Sequence, residues 1–390
     1  MNYKTTVFAP HDRMNYGDFL FAIMLDFALK RKDQTADSLE KHSIIAADFS
    51  TIGAYKTGSY KTLMKDVNQK KINSIIIGGG QSLSANWVTI YSYINPLIYF
   101  LTFKLRLHKL KIYHKFIIKF LGGKSDFPYN INKRDYNNKS LKIIYNSVGS
   151  GGITKNAASR LNEADYVAVR DLKSFQHISS VVKNVKIIPD SAIILSDVFS
   201  VKKNKLIDKD YIFFQSSLYK YGNDLSIILY QLNEILAKTQ LSIVLCPIGT
   251  APGHNDDVLL KKIKSKIKND RLILREKPTI EEIVNLIAQS KCYVGTSLHG
   301  IITAMSYNVP YIGLNKKQIK LVSYNETWAI DDLKEIQSTD NFCYKTLEIL
   351  QKNTHNEISN KIKSETEIQK QKYYNAFDEI FEIIKLNLNK

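Results

Sequence analysis

Short apolar segments alternate with longer segments of helical periodicity along most of the 390-residue chain. Short runs rich in β-branched and aromatic residues predict buried strands, and apolar residues spaced three or four positions apart predict helices. In the first half the predicted strands are Thr5–Ala9, Ser43–Ala47, Ser74–Ile77, Leu141–Ser147 and Tyr166–Val169. The predicted helices of this half are Asp18–Leu29 and Asp171–Ser180.

The same alternation begins again in the second half of the chain. The predicted strands are Tyr211–Gln215, Leu241–Cys246, Leu272–Leu274, Tyr293–Val294 and Tyr311–Gly313. The predicted helices are Leu225–Lys238, Ile280–Gln289 and His299–Tyr307. Strands that alternate with helices are typical of parallel sheets covered by helices, so the predicted fold class is α/β with two open sheets.

A polar, lysine-rich stretch separates the two halves. Residues 200–210 contain few apolar side chains, a composition that often marks a domain boundary. The sequence therefore predicts an N-terminal domain over residues 1–205 and a second domain over 206–345. Residues 346–390 carry apolar side chains at helical spacing, which predicts a helical segment that packs on the domains.

Positive charge strongly exceeds negative charge, with 55 Lys and Arg, 37 Asp and Glu and a formal net charge of +18. This balance indicates an anionic partner: nucleic acid, an anionic membrane surface or a small phosphorylated molecule. The sequence lacks the motifs of nucleic-acid-binding modules, so no nucleic acid is expected. The three cysteines have no paired spacing and the first residues lack the apolar core of a signal peptide, so a reduced, cytoplasmic location is expected.

One segment departs from the α/β pattern. Residues 88–103 are nearly all apolar or aromatic, but Asn95 and Pro96 interrupt them, and the run is shorter than the roughly 20 residues of a transmembrane helix. Residues 104–121 then interleave Lys and Arg with Leu, Ile, Tyr and Phe. Basic amphipathic segments of this kind lie on anionic lipid surfaces, and they also form solvated helices that cover their own domain. Both interpretations of segment 88–121 remain open from the residues alone.

The stretch from Cys292 to Leu314 holds the strongest candidate for chemistry. A predicted strand ends at Gly295, and His299 follows at the beginning of an apolar helix. This places His299 at the carboxyl edge of a sheet, where open α/β folds bind ligands. Helix N-termini bind anions, and a nearby phosphate stabilises protonated imidazole, so His299 is a candidate general acid. A hydrogen-bonded structural histidine would occupy the same position.

The order of several short motifs resembles the polysaccharide pyruvyltransferase family. The family's C-terminal signature of a strand, a Ser/Arg-Leu-His-Gly turn, an apolar helix and an "NVP-x-IG" strand is similar to residues 292–314. Upstream, Asn15–Asp18 is similar to the "N-x-GD" turn and residues 75–80 to the glycine-rich turn. Val167–Asp171 and Pro189–Ser191 are similar to the "V-x-x-RD" and "PD" elements. Each motif is weak alone, but their order and spacing are specific.

The resemblance implies a GT-B-like enzyme with two Rossmann-like domains and a cleft between them. Its expected activity is transfer of the carboxyvinyl group of phosphoenolpyruvate to two hydroxyls of a sugar, which leaves a cyclic pyruvate ketal on a cell-surface polysaccharide precursor. The family histidine, here His299, is the expected general acid, since protonation of the donor's methylene makes C2 electrophilic. The arginine of the "V-x-x-RD" element, here Arg170, is the expected ligand of the donor's anionic groups, because its fork suits them better than a lysine would.

One position departs from the family pattern. Many members have arginine immediately before Leu-His-Gly, whereas this chain has Ser297. Either another cation replaces that arginine or the donor lies differently. The candidate replacements are Lys316, Lys317 and Arg275. With these, Ser297, Leu298 and Gly300 are assigned to the donor site. No metal and no cofactor are expected beyond phosphoenolpyruvate as the donor substrate.

The remaining candidates are assigned to the acceptor side or to acid–base work, and each has a structural alternative. Gly79 and Gly80 would let the backbone approach a ligand or would only form a tight turn. Asp18 would act as a base or would cap the helix that follows it. Asn15 and His254 are assigned to the acceptor, although the loop after Pro252 would also be simply solvated, and His254 with Asp256 makes no credible metal site.

Two other functions compete with pyruvyl transfer. A nucleotide-sugar-dependent GT-B glycosyltransferase would share the architecture, and a non-catalytic glycan- or membrane-binding relative would keep the fold without the reaction. The expected partners of the leading hypothesis are phosphoenolpyruvate, a sugar acceptor that is free or lipid-linked, and an anionic membrane surface. A peripheral place at the inner face of the cell membrane is therefore expected beside a purely cytoplasmic one.

Overall fold

The structure is a computed structural model that describes residues 3–220 and 224–386. Its contacts divide these residues into two compact units. Unit 1 comprises residues 3–14, 18–191 and 371–386, and unit 2 comprises residues 15–17, 192–220 and 224–370. Each unit is built around one parallel sheet, so the α/β prediction with two sheets is confirmed.

Unit 1 is built on a six-stranded parallel sheet in the order β2-β1-β5-β6-β7-β8. The strands of this unit, including the antiparallel pair β3 and β4, are β1 Thr5–Phe8, β2 Glu40–His42, β3 Ala47–Asp48, β4 Lys56–Thr57, β5 Ser74–Gly78, β6 Lys142–Val148, β7 Tyr166–Val169 and β8 Val185–Ile187. The central strands β1 and β5 are buried on both faces, which explains their continuous apolar sequences.

The prediction of a strand over Ser43–Ala47 is wrong. The strand lies earlier, at Glu40–His42, and pairs with β1 at an edge of the sheet. An edge strand exposes one side to solvent, so its Glu and Lys gave no hydrophobic signal. The apolar residues that follow it enter the core from a loop, where Ile44 is buried.

Helices cover both faces of the first sheet. They are α1 Tyr16–Lys32, α2 Tyr60–Asn68, α3 Trp87–Ser92, α4 Pro96–Tyr99, α5 Lys111–Leu121, α6 Lys155–Leu161 and α7 Leu172–Ile178. The first helix begins at Tyr16, so Asp18 lies within its first turn and not at its cap. The unusual segment 88–121 folds into α3, α4, a π-turn at Phe100–Lys104 and α5. Among the described helices, none combines the length and apolarity needed to cross a bilayer.

Unit 2 is built on a five-stranded parallel sheet in the order β11-β10-β9-β12-β13. Its strands are β9 Tyr211–Gln215, β10 Ser242–Leu245, β11 Leu272–Leu274, β12 Cys292–Gly295 and β13 Tyr311–Gly313. Its helices are α8 Leu195–Val198, α9 Leu225–Lys238, α10 Asp256–Lys266, α11 Ile280–Ala288, α12 Leu298–Ser306, α13 Ile319–Trp328, α14 Phe342–Lys352 and α15 Glu357–Lys385. Helix α15 begins in unit 2 and continues into unit 1 from residue 371. Every strand predicted in this half lies within one residue of its observed bounds.

The chain passes from unit 1 to unit 2 after Ser191, which differs from the predicted boundary near residue 205. Hydrogen bonds attach the intervening segment to unit 2: Ser306 Oγ donates to the carbonyl of Ile193, and the amide of Ser196 donates to Ser306 Oγ. The lysine-rich stretch is held to α11, because the amide of Lys202 donates to Asn285 Oδ1 at 2.8 Å. Its polar composition therefore reflects a solvated surface loop of unit 2.

The C-terminal residues contribute to unit 1. Tyr373 on α15 is fully buried, and its hydroxyl accepts a hydrogen bond of 3.2 Å from Asn146 Nδ2 on β6. The ring of Phe381 contacts that of Tyr3, with 5.7 Å between the centroids. The predicted helical segment is thus present as α15, and residues 387–390 of the predicted segment lie outside the described residues.

Candidate functional site

The strand order of unit 2 defines the point at which ligands bind in open parallel sheets. The chain starts in the middle of this sheet at β9, adds β10 and β11 on one side, and then adds β12 and β13 on the other. The connections leave in opposite directions between β9 and β12, so a crevice forms outside the carboxyl ends of these two strands. Gln215 ends β9, and Gly295 ends β12.

The turn after β12 is held tightly to the end of β9. The amide of Thr296 donates to Gln215 Oε1 at 3.2 Å, and Tyr293 donates its hydroxyl proton to the same oxygen at 3.3 Å. A Cβ at Gly295 would lie 2.7 Å from the carbonyl oxygen of Gln215, so glycine is required there. Only glycine also fits at Gly300, where a Cβ would overlap the hydroxyl of Tyr293.

His299 lies in the first turn of α12, as predicted. Ser297 is the N-cap of this helix, with its hydroxyl accepting from the amide of Gly300 at 3.4 Å, and Leu298 is buried. His299 is buried, with 9% of its surface exposed. A residue in the first turn of a helix lies beside backbone amides, which favour an anion at that place.

Residues 15–17, which begin the chain's first helix, fix the position of this histidine. A methyl group at Gly17 would overlap the imidazole ring, so the backbone of Gly17 lies directly against His299. The hydroxyl of Tyr16 lies 2.9 Å from Thr303 Oγ1, and Thr303 Oγ1 donates to the carbonyl of His299 at 2.7 Å. Asn15 forms an isolated antiparallel bridge with Gly249 after β10, and the amide of Tyr16 donates to the carbonyl of Ile248.

Asp256 supports the same crevice from the beginning of α10. Its Oδ2 accepts from Gln215 Nε2 at 2.7 Å and from the amides of Ile248 at 3.1 Å and Gly249 at 3.0 Å. The carboxyl group is only 1% exposed, and burial raises its pKa from the ordinary value to about 6, although the charge of Lys220 and these donors oppose the change. Asp256 thus joins the ends of β9 and β10 to the turn that carries His299.

His254 lies in this region, and the predicted cations Lys316 and Arg275 follow other strands of the same sheet. His254 packs on Gly249, where a Cβ would lie 3.2 Å from its Nδ1, and its carbonyl accepts from Ser217 Oγ at 2.6 Å. Lys316 follows β13 on an exposed loop and pairs with Glu335 at 2.7 Å. Arg275 follows β11, three strands or roughly 14 Å across the sheet from β12, and donates to the carbonyl of Leu206.

Arg170 belongs to unit 1, at the carboxyl end of β7. Its side chain is 1% exposed, with Nη1 3.1 Å from Asp190 Oδ2 and Nε 3.8 Å from Asp171 Oδ2. The "RD" and "PD" motifs are therefore adjacent in space, and their charges pair with one another. Gly80 is near as well, since the amide of Gly149 donates to the carbonyl of Gly80 and a Cβ on Gly149 would lie 3.2 Å from Arg170 Nη2.

The corresponding crevice in unit 1 lies between β1 and β5, where that sheet's connections diverge. Gly79 and Gly80 follow β5 with φ values of +38° and +66°, which favour glycine. A Cβ at Gly79 would overlap the ring of Phe21, whereas the space around Gly80 is open. Gly80 is therefore the one of the pair that leaves room for an approaching group.

A buried polar cluster that sequence analysis missed follows β1 in the same unit. Burial alone would lower the pKa of Arg13, but the carboxylates of Asp12 and Asp18 raise it above its ordinary value. Arg13 Nε donates to Asp12 at 2.8 Å, and Asp18 is 7% exposed. Asp12 and Arg13 lie just before the Asn15–Asp18 motif in the sequence, and this proximity is the signal by which they could have been found.

Sequence analysis also missed the contacts that Gly17, Gln215 and Asp256 make. Gly17 lies inside a recognised motif, but its role depends on a ring 282 positions later in the chain. Gln215 and Asp256 carry no motif, and only the strand order of unit 2 places them together.

One group of described residues has the geometry for a metal ion. Ligand atoms of Glu40, His42 and Asp66 lie within 4.8 Å of one another in unit 1. Thr6 Oγ1 lies 2.8 Å from His42 Nδ1, which leaves Nε2 as the available ligand atom, and Lys71 lies 3.8 Å from Asp66. The sequence-based expectation that the reaction uses no metal stays a prediction.

Solved structures share this architecture at low sequence identity. UDP-N-acetylglucosamine 2-epimerase from Rickettsia bellii superposes with a TM-score of 0.55 and 10% identity, covering 98% of this chain and 96% of that one. The Methanocaldococcus jannaschii UDP-GlcNAc 2-epimerase in complex with UDP-GlcNAc and UDP gives a TM-score of 0.51 and 11% identity over 90% and 93% of the chains. S. aureus MnaA, in a co-structure with UDP, gives a TM-score of 0.51 and 13% identity, covering 89% of this chain and 87% of that one. Together with the two parallel sheets, these similarities define a GT-B-like fold of two Rossmann-like units.

A sequence profile assigns the family within this fold. The profile described as polysaccharide pyruvyl transferase matches residues 15–317, from the segment that packs on His299 to the loop after β13. The chain belongs to the polysaccharide pyruvyl transferase family, and it is a pyruvyltransferase that acts on polysaccharide. Among curated proteins, none matches the sequence significantly.

Proposed function

We propose that this enzyme transfers the carboxyvinyl group of phosphoenolpyruvate to two hydroxyls of one sugar in a cell-surface polysaccharide precursor. The observation that carries the proposal is the position of His299, in the first turn of α12, at the crevice between β9 and β12 and against Gly17. A donor with a phosphate and a carboxylate suits this place, because the helix amides attract an anion beside a histidine that can give a proton.

The reaction begins at the donor's carbon–carbon double bond. His299 transfers a proton to the methylene carbon, which becomes a methyl group, and C2 becomes electrophilic. One sugar hydroxyl then forms a bond from its oxygen to C2 and loses its proton to a base. The bond between C2 and the phosphate oxygen breaks, and phosphate leaves with its bonding electron pair. The second hydroxyl bonds to C2 and loses its proton, which closes the ketal ring.

The remaining groups of unit 2 keep His299 in position. The backbone of Gly17 lies directly against the imidazole, and the Gln215–Asp256 pair holds the preceding turn. Asn15 and His254 lie next to Gly249 in the same unit, which supports the proposal that they contact the acceptor. The donor-binding roles of Arg170, Lys316, Arg275, Ser297, Leu298 and Gly300, the catalytic role of Asp18 and the acceptor roles of Gly79 and Gly80 stay predictions.

Replacement of His299 tests the proposal. We expect His299→Asn to lower turnover by about 10² to 10⁴-fold, the range for loss of a general acid, while the apparent affinity for phosphoenolpyruvate changes much less. The assay follows phosphate release from phosphoenolpyruvate with galactosides, mannosides and N-acetylhexosamines as acceptors, and detects the ketal methyl group by NMR.

The matched control is His355→Asn, since His355 is an exposed histidine of the same unit. It should keep wild-type turnover. Near-normal turnover of His299→Asn would remove His299 from the mechanism. Release of nucleotide from a sugar nucleotide, with no phosphate from phosphoenolpyruvate, would instead indicate the glycosyltransferase alternative.

A further inference from the structure

Large apolar side chains are exposed on one part of unit 1 far more than elsewhere. The described residues include 16 exposed large hydrophobic side chains, and seven of them lie between residues 97 and 120. We call these seven the 97–120 surface: Leu97, Phe100, Leu105, Leu110, Ile112, Phe116 and Phe120. Single exposed apolar residues are ordinary on proteins, but such a concentration marks an interaction surface.

Helix α5 shows that this exposure is not a packing defect. Its inner face is packed against the core of unit 1 through Ile117 and Leu121, which are 3% and 4% exposed. Its outer face presents Ile112, Phe116 and Phe120, at four-residue spacing and with exposures of 77%, 61% and 50%. Because residues four apart share one helix face, these three side chains form a continuous apolar stripe that points to solvent.

Cations border the apolar side chains, and acidic residues are absent from this part of the sequence. Residues 87–125 contain no Asp or Glu. The exposed cations between residues 97 and 120 are Lys104, Arg106, Lys109, Lys111, Lys115 and Lys119. Within the described chain none of the six forms an ion pair, whereas the exposed Lys238 and Lys352 pair with Glu234 and Glu348. The surface is thus basic and apolar at once.

We propose that the 97–120 surface docks on an anionic lipid bilayer. Lys and Arg without an ion-pair partner are attracted to acidic headgroups, and exposed Leu, Ile and Phe beside them enter the boundary between headgroups and acyl chains. A second copy of this chain is a poor occupant, because two surfaces with six cations each would repel. Docking and pyruvyl transfer are separate properties, since this surface contains none of the residues assigned to the reaction.

Vesicle sedimentation of the purified protein tests the charged component. We expect wild-type protein to sediment with vesicles that contain about 30% phosphatidylserine, much less with pure phosphatidylcholine, and less as salt is added. Changing Lys109, Lys111, Lys115 and Lys119 together to Gln should lower the partition coefficient at least about tenfold. The control changes Lys261, Lys262, Lys266 and Lys268 to Gln, which removes equal charge from the region of α10, where the structure exposes no large hydrophobic side chain.

A second pair of variants tests the apolar component. Ile112→Ser with Phe116→Ser should lower the partition coefficient at least about tenfold without unfolding the protein, because both side chains are mostly exposed. The control is Tyr230→Ser with Tyr344→Ser, which removes exposed aromatic side chains from unit 2. It should bind vesicles as the wild type does.

Three results would overturn the proposal. The first is absence of wild-type sedimentation with anionic vesicles. The second is an equal loss of vesicle binding in the surface variants and in their controls, because net charge or nonspecific adsorption would then explain the binding. The third is a wild-type dimer in solution that Ile112→Ser with Phe116→Ser converts to a monomer without changing vesicle binding, since the surface would then be a contact between copies.

Discussion

At the scale of single residues, Gly17 matters because it has no side chain: its backbone lies directly against the imidazole of His299. Alanine favours helices more than glycine, so Gly17→Ala should not weaken the first turn of α1. Its methyl group would displace the imidazole of His299, and a displacement near 1 Å is expected to lower turnover by about 10-fold to 100-fold. Steady-state kinetics and thermal unfolding of the purified variant check both statements.

The matched control for this change is Gly152→Ala, because no atom lies within 4 Å of a Cβ at Gly152. That variant should behave as the wild type. Unchanged turnover of Gly17→Ala would show that His299 tolerates displacement and therefore takes no direct part in the reaction.

Asp256 links stability to pH. Its pKa is raised to about 6 in the folded protein, mainly by burial, whereas an unfolded chain keeps a value near 4. The folded protein therefore binds this proton more tightly, so the stabilisation is complete below about pH 4 and is lost as the pH rises through about 6. The Asp256→Asn protein has no carboxyl group to ionise at this position, so it does not lose this stabilisation as the pH rises. The unfolding free energy of the variant minus that of the wild type should therefore increase by about 1–3 kcal/mol between pH 4 and pH 7.

Urea denaturation across this pH range measures the difference. The neighbouring Asp257→Asn, which changes a less buried carboxyl of the same helix, serves as the control and should show no such rise. A constant difference between Asp256→Asn and wild type would mean that Asp256 titrates as an ordinary carboxyl.

At the residue scale, the sequence predicts the position of a residue where a motif contains it, and the role of that residue stays a prediction. His299 was found because Ser-Leu-His-Gly follows a recognisable strand and begins a helix, and the structure has both elements. The contact between Gln215 and Asp256 could not be predicted, since it arises from the pairing of β9 with β10 and β12, which are distant in sequence. The pairing of Arg170 with Asp190 was hidden for the same reason.

At the scale of elements, the turn between β12 and α12 depends on the end of β9. Gln215→Leu would leave the amide of Thr296 and the carboxylate of Asp256 without this partner in a buried place. The loss should destabilise the protein by about 2–4 kcal/mol and should also lower turnover, because the turn places His299. Chemical denaturation and kinetics on the same preparation measure the two effects.

Gln231→Leu is a suitable comparison because Gln231 is also buried and accepts one hydrogen bond, of 2.8 Å, from the amide of Cys343. It should cost less stability and leave turnover unchanged. If both glutamine variants lose equal stability and keep full turnover, the turn before α12 does not need Gln215.

Element prediction was most accurate in unit 2, where buried parallel strands are apolar on both faces and end at glycine or polar residues. It failed at β2, whose edge position permits a Glu-Lys-His sequence, and it did not find α2, α6, β8, α10 or α13. The polar exposed faces of such elements weaken the hydrophobic periodicity on which sequence prediction depends.

At the scale of the whole molecule, each unit contains one of the two tryptophans. Trp87 lies in unit 1 and Trp328 in unit 2, and both are buried. Trp328→Phe and Trp87→Phe proteins therefore report the unfolding of unit 1 and unit 2, respectively. Tyr373→Ala should remove about 3–5 kcal/mol of stability from the transition seen by Trp87, because it empties a fully buried site in unit 1.

The converse variant is Tyr311→Ala, which empties a buried site on β13 in unit 2. It should shift the fluorescence transition of Trp328 more than that of Trp87. Equal shifts of both transitions in both variants would indicate that the protein unfolds as one cooperative block.

The contribution of α15 to unit 1 also has a consequence for synthesis on the ribosome. Domains usually fold in the order in which they are translated. Here the residues that cover Asn146 and Tyr3 are Tyr373 and Phe381, which emerge only after all of unit 2 has been translated. During translation, part of the core of unit 1 therefore stays uncovered until residues 371–386 have been made, whereas all strands of unit 2 have been made before then. A purified fragment that ends at residue 370 should therefore be cleaved by proteases in unit 1 and be protected in unit 2.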